Sequence, residues 1–212
     1  EDIENAKPVA LGCILRQDIT DPSSYRAQKH FNQWLAEHGR IGIAGVDTRH
    51  LTKRIRTEGA PNGVICHSPD GTFDIPALIA KANDWPGLEG MDLAKDNSCT
   101  TGYDWDEALW TREGGYGKVG NAKHHVVAID YGVKRNILRN LASLDCKVSV
   151  VPATTPADEI LAMNPDGIFL SNGPGDPAAT GEYAVPTIKP LIDSGKPVFG
   201  ICLGHQMMAL AL

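Results

Sequence analysis

The sequence predicts an α/β chain: its C-terminal half is a truncated, doubly wound parallel sheet, and a smaller α/β domain fragment precedes it. Two observations carry that expectation. From residue 124 onward four apolar strand signals alternate with four helical ones, and the strands are near-continuous in apolar residues, as strands covered on both faces are. Ahead of them, residues 1–113 mix short strand and helix signals, and a Gly-rich stretch separates the two parts.

In the first part, Ser23 and Ser24 precede Phe31, Trp34 and Leu35 at helical spacing and Gly39 follows, which predicts an amphipathic helix over 24–38. A short strand is expected over 41–46. Asp47 or Thr48 can cap a helix bearing Arg49, Lys53, Arg54 and Arg56 that stops at Gly59. Those basic residues read as a solvated face rather than a binding patch. Asn62-Gly63 turns into an expected strand over 64–67, and residues 75–83 suggest another helix. From 85 to 121 the pattern loosens. Residues 114–123 carry four glycines and no periodicity, a linker composition, so the expected organisation is 1–113, a linker at 114–123, and 124–212. Strands then follow over 125–130, 147–151, 167–171 and 197–202, with helices over 134–144, 156–163, 183–193 and after 202. In such a sheet ligands gather beyond the carboxyl ends of the strands.

Composition excludes several classes. Among 212 residues, 20 basic against 26 acidic give a net charge of −6 with no basic block, so no nucleic-acid partner is expected. No apolar run reaches the roughly 18 residues of a membrane span, and Glu1, Asp2 and Glu4 do not make the basic start of a signal peptide. Five scattered cysteines without a Cys-x-x-Cys pair suit reduced thiols in the cytoplasm and no metal site. Both ends read as cut: there is no initial methionine, and 207–212 is an uncapped apolar helical stretch.

The strongest chemical signal is Gly200-Ile201-Cys202-Leu203-Gly204, where an apolar strand runs into a helix with a cysteine at the junction. This is the pattern of a nucleophile elbow: the turn is so tight that Gly200 and Gly204 leave room beside a strained residue whose side chain projects from the sheet edge. A helix N-terminus there favours negative charge on the sulfur. The ordinary alternative is a small cysteine buried in a core strand. The second signal is Ser171-Asn172-Gly173-Pro174-Gly175-Asp176, a glycine loop leaving the preceding strand. An oxyanion hole needs the N–H after the nucleophile, here Leu203, and one from a neighbouring strand-end loop, here Gly173. Read alone, the loop is equally an ordinary tight turn. His205 lies on the helix leading away from the elbow, where packing or capping suits it better than the role of base, and His124-His125 lack metal-binding partners.

These motifs resemble the class I, triad-type glutamine amidotransferases. Residues 44–56, Gly90-Met91-Asp92-Leu93-Ala94-Lys95 and 130–138 further resemble the small-subunit family of carbamoyl phosphate synthetase. The resemblance implies that Cys202 attacks the side-chain amide of L-glutamine and releases ammonia through a thioester. Leu203 and Gly173 would supply the oxyanion N–H groups, and Gly173, Gly175, Leu203 and Gln206 would hold glutamine. It implies no cofactor in this subunit, with ATP and Mg in a large partner subunit that makes carbamoyl phosphate for arginine and pyrimidine synthesis. The family's His-x-Glu pair is expected beyond Leu212, and a glutamine-contacting serine before Glu1. Two rival readings are another class I amidotransferase, against which the first half speaks, and a non-catalytic docking subunit, against which Cys202 speaks.

Overall fold

A computed structural model describes residue 4 and residues 8–212; Glu1 and Asp2 lie outside the described residues. Two compact units divide between Gly87 and Leu88.

In the first unit β1 (Gly12–Ile14) pairs in parallel with β2 (Ile41–Ile43). Helix α1 (Phe31–Glu37) lies between them in sequence and buries Leu35. It is shorter than the expected 24–38, because Ser24 spends its hydroxyl on a local turn at Arg26 N–H and the imidazole of His30 caps the helix instead. Asp47 caps α2 (Thr48–Glu58) and Asp74 caps α3 (Ile75–Asn83), as their positions before the helical patterns predict. The expected strand over 64–67 does not form, and β2 ends three residues before 46.

The second unit holds the large sheet. Helix α4 (Leu93–Asn97), β3 (Tyr103–Trp105), and a hairpin of β4 (Glu107–Thr111) and β5 (Gly115–Lys118) come first. The expected alternation then follows: β6 (His124–Asp130), α5 (Arg135–Ser143), β7 (Cys146–Pro152), α6 (Ala157–Ala162), β8 (Gly167–Leu170), α7 (Pro177–Asp193), β9 (Val198–Gly200) and α8 (Leu203–Ala211). Strand order is β3-β7-β6-β8-β9, with only β3 antiparallel. The chain steps from β6 to β7 in one direction and from β8 to β9 in the other, which makes the sheet doubly wound with its switch point between β6 and β8. Both faces are covered. Ala128, Val148, Val150 and Phe169 pack with Leu138 of α5, while Val127, Ile129, Ile168 and Leu170 pack with Ile160, Ile188, Leu191 and Met207 of the other three helices.

The Gly-rich stretch at 114–123 is not a free tether. Gly115, at φ +67°, opens β5, and the Tyr116 ring lies 4.3 Å from the guanidinium of Arg139 on α5, which also bonds Glu107 at 2.7 Å. A cation held over an aromatic face and paired with a carboxylate docks the hairpin on α5. Helix α7 begins at Pro177, six residues earlier than expected, on the Asp176 cap. Its internal Pro186 and Pro190 are exposed, so the carbonyls they leave unpaired face water.

Tyr131, just past β6, is fully buried, and its hydroxyl has no hydrogen-bond partner among the described residues. Burial, then Tyr183, pushes its phenol above the ordinary value. A buried hydroxyl without a partner costs about 1–3 kcal/mol. Tyr131→Phe is therefore expected to hold or raise the melting temperature by a few degrees, roughly 2–4 °C per kcal/mol in a chain of this size. A drop of that size in calorimetry would show that the hydroxyl has a partner.

Candidate active site

The site is built where β6, β8 and β9 end side by side. Strand β9 stops at Gly200, and Cys202 is already the N-cap of α8. Its backbone holds φ 51° and ψ −112°, a conformation that costs a non-glycine residue about 1–3 kcal/mol, and its side chain is exposed. Two glycines let the turn close. A Cβ on Gly204 would stand 2.2 Å from the carbonyl oxygen of Leu170, and one on Gly200 would stand 2.7 Å from the His205 nitrogen. Main-chain bonds fix the elbow: Ile201 N–H to Leu170 O at 3.1 Å, Gly204 N–H to Ser171 O at 3.0 Å, and Gln206 N–H to Cys202 O at 3.0 Å.

Leu203 is the first residue of α8 and is buried; its amide belongs to the first turn, where N–H groups lack intrahelical acceptors. Gly173 meets it directly. A Cβ on Gly173 would lie 2.1 Å from Tyr131 O and 2.9 Å from Leu203 Cδ2. The loop after β8 is thus pressed between the end of β6 and the start of α8, bringing Gly173 and Leu203 together beside Cys202. Gln206 lies exposed in the first turn of α8. Gly175, at φ +107°, packs backbone to backbone: a Cβ there would stand 2.9 Å from Leu93 N and 3.0 Å from Met91 O.

That contact belongs to a strap that sequence reasoning did not anticipate. Asp176 accepts the Gly90 N–H at 2.9 Å while capping α7 through Ala178, and its own N–H donates to Met91 O at 3.1 Å. Asp92 caps α4 through Lys95 and accepts the hydroxyls of Thr180 at 3.2 Å and Tyr183 at 3.3 Å. Burial, then the Asp92 charge, pushes the Tyr183 phenol upward.

Three further residues organise the loops without having been singled out. Buried Asp130 accepts the N–H groups of Gly132, Val133 and Cys99, each at 2.8 Å. Asn172 accepts Lys134 N–H at 3.1 Å and donates to Gly132 O at 3.2 Å. Fully buried Ser171 accepts Tyr131 N–H and donates to Asn172 O, both at 2.8 Å. An Asp at a strand end two residues before a glycine is a local turn signal that could have found Asp130, and Asn172 directly before Gly173 is another; Ser171 has no comparable signal.

The remaining candidates separate clearly. Half-buried Cys99 has its thiol pushed up to about 12 by burial and then by Asp130, so it stays protonated near neutral pH. His205 is exposed rather than packed, since its place in the first turn of α8 faces away from the core residues Leu203 and Met207. His125 lies at the far end of β6, its Nε2 3.0 Å from Ser149 Oγ. No group of three or more metal-ligating side chains occurs among the described residues, and none of their helices is long and apolar enough to cross a membrane.

A cysteine elbow beside a glycine loop at the carboxyl edge of a doubly wound sheet defines a class. Residues 127–212 match the family described as glutamine amidotransferase class-I. Residues 1–65 match the carbamoyl-phosphate synthase small chain, CPSase domain. Over its whole length the chain is similar to the carbamoyl phosphate synthase small chains of Caulobacter vibrioides (58% identical, 56% of that protein covered), Rhizobium meliloti (59%, 54%) and Zymomonas mobilis (57%, 57%). The chain belongs to the carbamoyl phosphate synthase small-chain family, and it spans about half the length of the curated relatives it matches.

Proposed function

We propose that the chain carries the nucleophile of a glutaminase that feeds ammonia to a synthetase subunit. The observation that carries the reading is Cys202 at φ 51°, ψ −112° on the cap of α8, with Leu203 and Gly173 in contact beside it. The thiol gives its proton to a base, and sulfur attacks the side-chain amide carbon of glutamine. The carbonyl oxygen becomes an oxyanion held by the N–H groups of Leu203 and Gly173. The C–N bond then breaks as nitrogen takes a proton and leaves as ammonia. Water hydrolyses the glutamyl thioester, giving glutamate and restoring the thiol. Gly175 and Gln206 help hold the substrate. The base, an imidazole backed by a carboxylate, belongs on this reading to the part of the family's length that the chain does not span.

In domain terms the reading assigns 1–113 to the small-chain domain and 124–212 to the amidotransferase domain. The ammonia passes, in the cytoplasm, to a large subunit that uses ATP, Mg and bicarbonate to make carbamoyl phosphate. The test is glutamine-dependent carbamoyl phosphate formation by the complete subunit with that large subunit; activation of a different synthetase instead would favour another class I amidotransferase.

A corollary concerns the 212 residues alone. An amide is a poor electrophile whose amine leaves only when a positioned acid protonates it, and removal of a triad member leaves only binding and the oxyanion hole. The isolated chain is expected to be alkylated at Cys202 by a small thiol reagent, yet to release ammonia no faster than its Cys202→Ser variant. Sustained release above that control would place a base within these residues.

A further inference from the structure

We infer that Ser171 is a positioning residue for the oxyanion hole, acting through the peptide that joins Asn172 to Gly173; the inference rests on the glutaminase reading above. The Ser171 hydroxyl donates to the carbonyl oxygen of Asn172 at 2.8 Å while accepting the Tyr131 N–H at 2.8 Å. No cis peptide bond occurs among the described residues, and in a trans peptide the carbonyl and the following N–H point in opposite directions. Holding the Asn172 carbonyl therefore fixes the direction of the Gly173 N–H on the other side of the same plane. A donor on the carbonyl also polarises the amide and strengthens its N–H as a donor, since hydrogen bonds in a chain reinforce one another.

The same residue sets the second donor. Its own carbonyl oxygen accepts the Gly204 N–H at 3.0 Å, one residue beyond Leu203, so both oxyanion amides are referenced to Ser171. The two functions are chemically separable. The bond to Gly204 uses the main chain, which any residue at 171 retains, whereas the hold on Asn172 needs the hydroxyl. Without the hydroxyl the elbow stays built while the Asn172–Gly173 peptide loses this hold on its carbonyl, and the Asn172 side chain, bonded to Lys134 N–H and Gly132 O, anchors the residue but not the plane of that peptide. Because Ser171 is fully buried, the hydroxyl has no role in contact with solvent to explain it.

The test uses the complete subunit with its synthetase partner, with rates expressed per alkylatable Cys202 so that any unfolded fraction drops out. For Ser171→Ala, kcat for glutamine is expected to fall on the order of 10- to 100-fold, with KM within about two-fold. The Cys202 alkylation rate is expected to stay within about two-fold, because the elbow bonds are main-chain. Affinity for the γ-aldehyde of glutamate, which forms a tetrahedral adduct on the thiol, is expected to fall in step with kcat. Ser171→Thr keeps the hydroxyl and is expected to recover most of the loss. An Ala variant with unchanged kcat, an equal loss of kcat and alkylation rate, or a Thr variant as slow as Ala would each overturn the inference. Ammonia release that survives Cys202→Ser would instead overturn the glutaminase reading itself.

Discussion

Cys202→Ser in the complete subunit is expected to lower glutamine-dependent ammonia release by on the order of 10⁴-fold or more, with the fold intact. Serine is nearly isosteric and inherits the same backbone, so the melting temperature is expected to move little. The loss is chemical: a hydroxyl is a far weaker nucleophile than a thiolate, and the thioester that splits the reaction into two easier steps cannot form. Cys202→Gly offers the converse. It relieves the φ 51°, ψ −112° strain and is expected to stabilise the fold by about 1 kcal/mol while being equally inactive. Cys99→Ser is the control, because burial and Asp130 keep that thiol protonated. Ammonia release by Cys202→Ser comparable to the parent, measured with amide-labelled glutamine, would remove the nucleophile assignment.

The second large effect belongs to Gly204. In a helix, Gly→Ala ordinarily gains up to about 1 kcal/mol from backbone entropy. Here that gain is overwhelmed, since the new Cβ would stand 2.2 Å from Leu170 O and 2.6 Å from Leu170 C, which are backbone atoms that no side-chain rotation can clear. The helix must move off the end of β8, stretching the Gly204 to Ser171 bond and carrying the thiol with it. A displacement of about 1 Å costs on the order of a hundredfold in rate, and overpacking of this kind costs about 1–3 kcal/mol in stability. Gly204→Ala is expected to show both, and Gly204→Val a larger loss. Parent turnover in Gly204→Val would mean that the elbow does not set the thiol's position.

The parallel half of the fold was legible because its signals are local. Apolar runs of five or six residues alternating with helices leave few arrangements, and the elbow announces itself through glycines at fixed spacing around one cysteine. The rest failed for identifiable reasons. Strand β3 is three residues, Tyr-Asp-Trp, at a sheet edge where only one neighbour stabilises it. The β4–β5 hairpin is Gly-rich and depends on Arg139, a residue beyond its own segment. Asp176-Pro177 was a readable helix start that the glycines before it disguised. Around the elbow, the glycine spacing is readable from the sequence, while Ser171 and Asn172 bond main chain some 40 residues away and Asp92 accepts the side-chain hydroxyls of Thr180 and Tyr183, pairings that no local pattern encodes.

The strap from Gly90 to Leu93 also bears on how the site comes into being. Its bonds join residues 86, 88 and 91 positions apart in the chain, so closing that loop costs about 4 kcal/mol in chain entropy, more than any one of the bonds returns. Once one contact closes the loop, however, the others form without that cost, and the clamp is made as a unit. During synthesis the strap emerges long before its partners on α7 exist. The glycine loop therefore acquires its final shape only after residues 176–183 have been made, so the loop beside the elbow is a late product of folding rather than a template for it.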